Sequence, residues 1–327
     1  MSLVSPIIAA AYHLTTSVSF RVSQMLPERM HPGKRACRAL QALRDAPSGP
    51  YFARAMLESR WRSKLLLSHV LGLSQSELRR FFEDRTTFEG AVFAKPVLDG
   101  ARPIILAAPH YGAAPVGYVA AVNRLGGGRP INLFYDSART SPRLIRLFER
   151  SGVDTNTLLG SFTGVVAAMR ALERNECLVM MPDTFEDIAH TIAVPFFGRM
   201  LRVAAGTAFF SLRTDAWVVP VFAAPTARLG VRVTLGRPID SRRFFAFDEP
   251  QSIFMLSRAI FACFERELRR TPEHWHNWET FPRVSTAVPP PGRLEDDAPM
   301  RLLRDKCRAQ PQLLHDLPEL EWLVRPQ

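Results

Sequence analysis

Cysteine is scarce and scattered in this chain of 327 residues: Cys37, Cys177, Cys263 and Cys307 form no CxxC pair. That excludes a zinc knuckle of the usual spacing and a secreted disulfide framework, and it fits a reducing cytosol. A continuous run of about twenty apolar residues, the length of a membrane span, is also missing. The nearest approach, "SLVSPIIAAAYHLTTSVSF" near the start, is interrupted by Pro6, His13 and several hydroxyl residues. It has neither a cationic beginning nor a cleavage site, so residues 1–30 read as a surface-lying or core-packed segment, not a signal peptide or spanning helix. GxSxG, Walker and GxGxxG signatures are absent, which leaves serine hydrolase, P-loop and dinucleotide chemistry without support. Acidic residues are short relative to basic ones, 31 against 42, for a formal net charge of +11. Such a balance favours an anionic partner. The arginines follow no finger spacing, RNP-like strand or basic heptad, so the expected partner is a membrane surface or an acidic carrier protein, not nucleic acid.

What is present is a chain with 47% hydrophobic residues, enough for a sizeable core. Residues 35 to 83 carry helical periodicity in "ACRALQALRDA", "YFARAMLESRWRSKLLLSHVLG" and "SQSELRRFFEDR", the last with Ser74 placed to cap ahead of Glu77. From about Val97 the pattern changes. Short apolar runs, "PIILAA", "RPINLFY", "ECLVMMP" and "AWVVPVFAA", alternate with the helical stretches "SPRLIRLFERSG", "FTGVVAAMRALERN" and "AAGTAFFSLRTD". That alternation predicts an α/β layered fold. A later strand, "RVTLGRPI", and a long helix, "PQSIFMLSRAIFACFERELRR", close the domain. The expected organisation is an N-terminal segment 1–30, a main domain 31–284, and a Pro-rich linker with a C-terminal tail over 285–327. The tail has apolar residues at roughly helical spacing, suited to docking on the main body.

The stretch "RPIILAAPHYGAAPVGY", Arg102 to Tyr118, raises the functional question. A buried strand stops at Pro109 and delivers His110 into a turn that opens a helix. A histidine at such a strand end suits a general base, yet the nearby chain offers no acid to orient it, since the residue five further on is Pro115.

Taken together, "IILAAPHYGAAP", "MMPDTFED", "VPFFGRMLRVAAGTAFFSLRTDAWVVPVF" and "TPEHWHNWETFPR" resemble the lipid A biosynthesis acyltransferases, the lauroyl and myristoyl transferase branch of the lysophospholipid acyltransferase superfamily. Order and spacing match over roughly residues 35 to 283. The resemblance implies a cytoplasm-facing bacterial enzyme, peripheral to the inner membrane, that moves a fatty acyl group from an acyl carrier protein thioester to an acceptor hydroxyl. The resemblance also implies an α/β fold with a mixed, mostly parallel sheet and helices on both faces, and it requires no metal and no bound organic cofactor. Relatives use a histidine followed after four residues by Asp or Glu, the carboxylate fixing the histidine tautomer and stabilising the imidazolium. His110 matches the histidine, and Pro115 stands where the acid should be. A second departure is Asp136 in "LFYDSAR", at a position where relatives usually carry arginine.

Three readings of Asp136 stand open. It replaces the lost acid as partner of His110; it recognises a cationic acceptor such as an amine; or the site is inactive and the fold retained to bind acyl chains or a carrier protein. Because both departures fall on the acceptor side, the expected acceptor belongs to a secondary metabolite, lipopeptide or glycolipid. Asp183 in "MPDTF" is a further catalytic candidate, with a turn or helix cap as its ordinary alternative. Glu186 and Asp187 follow it and suit solvated loop positions.

Tyr111, next to the histidine, is a candidate for substrate contact. Arg199 and Arg202 suit the carrier's phosphopantetheine phosphate or the acceptor, since arginine binds phosphate bidentately. Phe196, Phe197 and Gly198 are candidates for the wall of an acyl slot, and aromatics in such a run are core residues at least as often. Gly206 and Thr207 open a helix whose first N–H groups are suited to polarise a thioester carbonyl, against the alternative of an ordinary helix start. His274 and His276 flank Trp275, and with no nearby ligand pattern they read as packing, not metal binding. His190 has no assigned role.

Overall fold

The structure, a computed structural model, describes residues 31–40, 47–98, 100–125, 128–135, 142–185, 190–245 and 248–287, with a few isolated positions in the terminal segments. The expected N-terminal segment, the Pro-rich linker and most of the tail therefore lie outside the described residues, as do Asp136, Glu186 and Asp187.

Three helices come first: α1 (Pro32–Leu40), α2 (Pro50–Gly72) and α3 (Gln75–Asp84). Ser74 caps α3 as expected, its hydroxyl accepting from the Glu77 N–H while the Glu77 carboxylate takes the Ser74 N–H at 2.8 Å. Two backbone donors that the helix cannot use are satisfied in this way. Strand β1 (Thr86–Glu89) and helix α4 (Ala91–Leu98) lead into the layered region. It runs β2 (Ile104–Ala107), α5 (Ala114–Leu125), β3 (Ile131–Tyr135), α6 (Pro142–Arg150), β4 (Thr155–Leu159), α7 (Phe162–Glu173) and β5 (Cys177–Met180). A hairpin of β6 (Thr191–Phe196) and β7 (Arg199–Ala204) follows, then α8 (Gly206–Thr214), β8 (Trp217–Pro225), β9 (Val231–Leu235) and β10 (Ile239–Asp240). The long α9 (Glu249–Arg270), two 3₁₀ turns at Pro272–His274 and His276–Glu279, α10 (Phe281–Val284) and β11 (Ser285–Ala287) complete it.

The main sheet has the order β1-β9-β8-β2-β5-β3-β4, with β10 beside β8. Strands β8, β2, β5, β3 and β4 are parallel neighbours; β9 and β10 pair antiparallel to β8. Burial on both faces makes the central strands continuously apolar. In β2 all four residues are buried: Ile104 and Leu106 join α5 and α6 residues in one core cluster. Ile105 packs on the opposite face with Ala168 and Leu172 of α7 and Phe210 of α8. Strand β8 divides likewise, Val219, Val221 and Ala223 facing α5, and Val218, Phe222 and Ala224 facing the α9 side. A mostly parallel sheet with helices on both faces is the architecture the resemblance implies.

Two features were not legible in the sequence. β4, "TNTLL", is an edge strand with mostly exposed side chains, so it lacks the apolar run that marks a buried strand. The β6–β7 hairpin turns on Phe197 and Gly198, both at positive φ (48° and 67°), and with β11 it forms a separate antiparallel three-stranded sheet. Two-residue hairpins favour this left-handed pair because its twist matches the strands. Among the described residues no helix is long and apolar enough to cross a membrane.

Candidate active site

Parallel strands deliver their carboxyl ends to one edge of the sheet, where the loops leaving them converge. β2 and β5 are hydrogen-bonded neighbours in register, Ala107 opposite Met180, so the loops that leave these two strands meet. After β2 comes His110; after β5 comes Asp183. The ladder continues one step past the strands, with Ala108 N–H donating to the Met180 carbonyl at 2.9 Å. The His110 Nδ1 then lies 2.9 Å from an Asp183 carboxylate oxygen, and the His110 backbone N–H donates to both oxygens, at 2.9 and 3.1 Å.

The Asp183 carboxylate is fully buried, whereas the His110 side chain is 38% exposed. An ionised carboxylate only accepts hydrogen bonds, so Nδ1 carries the proton and Nε2 is left as the ring's unprotonated nitrogen. Two further donors reach Asp183 from the 3₁₀ turns: Trp275 Nε1 at 2.8 Å and Asn277 Nδ2 at 3.1 Å, the latter also bonding the Asp183 carbonyl at 2.8 Å. Burial pushes the Asp183 carboxyl upward, and the charge and hydrogen bonds of His110, with the Trp275 bond, more than reverse it, so its pKa lies below the ordinary carboxylate value. Burial likewise draws the His110 pKa down, and the Asp183 charge and hydrogen bond overcome that, leaving it raised. Opposed shifts of this sign describe a carboxylate that stays ionised beneath an imidazole suited to take up a proton.

The loop bearing His110 is pinned from both sides. Its own carbonyl accepts from His276 N–H at 2.9 Å, Gly112 N–H donates to the His274 carbonyl at 2.7 Å, and Tyr111 forms an isolated antiparallel bridge with Trp275. Tyr118, one turn into α5, donates its hydroxyl to the Pro109 carbonyl at 2.6 Å. Gly112, at φ 49°, leaves no room for a side chain: a Cβ there would fall 2.4 Å from the Ala223 carbonyl oxygen of β8. At Gly117 a Cβ would fall 2.0 Å from that of Ala223, so α5 lies directly against the strand. Pro115 occupies the first turn of α5, where the missing N–H costs no helical bond.

The remaining predicted residues divide. Tyr111, expected at the substrate, is instead buried, its hydroxyl 2.6 Å from Thr271 Oγ1; the bridge to Trp275 turns its ring into the core. Phe196 and Phe197 are buried in an aromatic cluster with Trp275, Trp278 and Phe281, and Gly198 makes the hairpin turn beside them. Arg199, expected to meet phosphate, bonds Ser285 through Nε at 2.8 Å and through its second nitrogen at 2.9 Å, tying β11 to β7. Arg202 is exposed on β7. Gly206 and Thr207 form the first turn of α8, which runs back along the sheet into β8 and so begins at the edge carrying His110. Ala205 gives that turn no side-chain cap, and the Thr207 hydroxyl is buried without a partner.

Asp136, the sequence candidate for the orienting acid, lies outside the described residues, and the Nδ1 position it would need is filled by Asp183. Trp275 and Asn277 were missed as site residues. Their sequence signal is their place in the block "TPEHWHNWETFPR" that carries the resemblance, and nothing local says that Asp183 is the group they reach. Among the described residues no group of three or more His, Cys, Asp or Glu converges as a metal site.

A proton acceptor backed by a buried carboxylate, at the carboxyl edge of a mostly parallel sheet, is an arrangement suited to an enzyme that activates a nucleophile by taking its proton. The pattern of the bacterial lipid A biosynthesis acyltransferases matches residues 67–278, well over half the chain, running from α2 through His110 and Asp183 to Trp278. The chain belongs to that family and is an acyltransferase. No curated protein matches it as an individual relative.

Proposed function

We propose that the enzyme transfers a fatty acyl group from an acyl carrier protein thioester to a hydroxyl or amine, with His110 as general base and Asp183 as the acid that orients it. The observation carrying this reading is the 2.9 Å contact between His110 Nδ1 and the buried Asp183 carboxylate, with Nε2 left unprotonated. Nε2 takes the proton from the acceptor O–H or neutral N–H as the oxygen or nitrogen attacks the thioester carbonyl. The tetrahedral oxyanion collapses, the C–S bond breaks, and the imidazolium returns the proton to the departing thiolate. No covalent enzyme intermediate forms. The uncapped first turn of α8, at Gly206 and Thr207, supplies backbone N–H groups suited to the oxyanion.

The basic balance of the chain supports both an acidic carrier and peripheral attachment to an anionic membrane surface. For the acceptor we favour a secondary metabolite, lipopeptide or glycolipid, on the strength of Asp136 standing where relatives usually direct an arginine. The test is to incubate the pure full-length enzyme with acyl carrier protein thioesters and a panel of hydroxyl and amine acceptors, tracking acceptor mass. Gain of one acyl group, lost in His110→Ala, is the expected result. Transfer from acyl-coenzyme A alone would overturn the donor assignment.

A further inference from the structure

We infer that the turn His274–Asn277 is a positioning element of the site, with Trp275 and Asn277 as positioning residues that hold the Asp183 carboxylate aligned beneath His110. The inference rests on the reading that His110 and Asp183 act as a dyad.

A carboxylate offers about four lone-pair directions. At Asp183 they are taken by the His110 N–H, the His110 ring, Trp275 Nε1 and Asn277 Nδ2, with no exposure to solvent. Half of these partners come from residues 275 and 277, which alternate along the turn with His274 and His276. Those two histidines use their backbones to hold the other member of the dyad, through Gly112 N–H and the His110 carbonyl. One four-residue segment therefore grips both the acid and the loop carrying the base.

The turn is itself braced. Trp275 packs edge-to-face on Phe196 and Trp278, at ring-centroid distances of 5.6 and 4.7 Å. Trp278 Nε1 donates to the Pro272 carbonyl at 2.6 Å, closing the turn from within. Ser59 meets His274 Nδ1 at 2.6 Å, and Arg60, paired with Glu279, donates to the His276 carbonyl at 2.9 Å. A general base contributes only when its ring is aimed, and an indole N–H fixed by core packing aims the carboxylate more rigidly than water would.

A merely structural turn would leave the titration of His110 alone, and a positioning turn would not. Each donor on Asp183 draws off part of its negative charge; removing one concentrates that charge on the imidazolium and raises the His110 pKa further. In Asn277→Ala, with thermal unfolding showing an intact fold, the His110 imidazole resonance should titrate about half a pH unit higher or more. Turnover with dodecanoyl carrier-protein thioester should fall about tenfold with KM for the thioester unchanged, since aim is lost and donor binding is not. Trp275→Phe should move both readouts in the same direction. In the unaltered enzyme the Trp275 indole N–H resonance should shift with pH at the His110 inflexion, a measurement that needs no variant. A His110 titration in folded Asn277→Ala that superimposes on the parent, or an indole resonance that ignores the His110 transition, would overturn the inference. Full turnover by His110→Ala would instead remove the dyad reading, while the two resonances would still report whether the turn holds Asp183.

Discussion

Two histidine environments lie within one small region of this molecule and behave in opposite ways. At the end of β2, His110 has a buried carboxylate under its Nδ1 and a raised pKa. In the adjoining turn, burial and the nearby charges of Arg232 and Arg62 depress His274 to about 4, and burial with Arg60 and His110 depresses His276 to about 3. The His276 Nε2 is buried with no partner. The side chain is the same, and the contact at Nδ1 differs: a carboxylate oxygen at 2.9 Å for His110, the Ser59 hydroxyl at 2.6 Å for His274. Burial and nearby positive charge keep His274 and His276 neutral at pH 7, whereas the Asp183 carboxylate in contact with the ring raises the proton affinity of His110.

The most severe way to break the comparison is to remove either half of the pair. His110→Ala should lower turnover by about a hundred- to ten-thousandfold, the usual range for loss of a general base. Asp183→Asn should cost a comparable factor, because the amide can no longer stabilise the imidazolium and favours the wrong tautomer. Steady-state kinetics on variants with unchanged circular dichroism measures both, and near-full turnover by either would sink the dyad.

A second experiment converts His110 into the other kind of histidine. The base works only when neutral, so kcat/KM should rise with pH on its acid side, with an inflexion above the ordinary value of 6.5 because Asp183 raises the His110 pKa. In Asp183→Asn burial acts unopposed, and the inflexion of the residual activity should fall below 6.5. An unchanged inflexion would mean that another group sets the profile.

The neighbouring histidines make a stability prediction of smaller size. Their folded pKa values lie below the unfolded value of 6.5, so the unfolded chain binds more protons in between. Their contribution is complete above pH 6.5 and is lost as pH falls toward 4. His110 carries the opposite sign, its contribution fading as pH rises through its raised pKa, and its partial exposure makes it the weaker influence. Denaturant midpoints should therefore drop from about pH 7 to about pH 5, and replacing His274 and His276 together by glutamine should flatten that slope.

The smallest effect concerns Arg199. Its bonds to Ser285 are local, so Arg199→Ala should lower stability by about 1 kcal/mol and leave KM for the carrier thioester unchanged. A tenfold rise in that KM would return Arg199 to phosphate recognition.

The layered architecture was legible because its strands are buried on both faces and its helices amphipathic, so "PIILAA", "ECLVMMP" and "AWVVPVFAA" announce themselves. β1 and β4 were not, since edge strands four and five residues long with exposed polar side chains carry little periodic signal. His110 was legible for a local reason, a histidine stopped at the end of an apolar strand. Its partner was not: Asp183 stood out as a strand-end acid, but only the order of strands in the sheet puts β5 next to β2. Loss of the acid near Pro115 pointed to a substitute, and Asp136 offered itself from a neighbouring strand end, while the Nδ1 contact comes from Asp183. Trp275 and Asn277 lie about ninety residues beyond the acid they hold, a distance no local pattern spans.

Ala223 carries no polar side-chain atom and touches no reacting group, yet Gly112 and Gly117 press against it and the Ala113 N–H donates to its carbonyl at 2.7 Å. It acts as a gauge block. The thickness of one methyl group sets how near α5 comes to β8, and with it the height at which the histidine loop leaves the sheet. A larger residue at 223 would lift loop and helix together, moving His110 relative to an Asp183 anchored from the other side. The machining tolerance of the site is therefore kept in the wall of the sheet, by a residue that a catalogue of chemical groups would pass over.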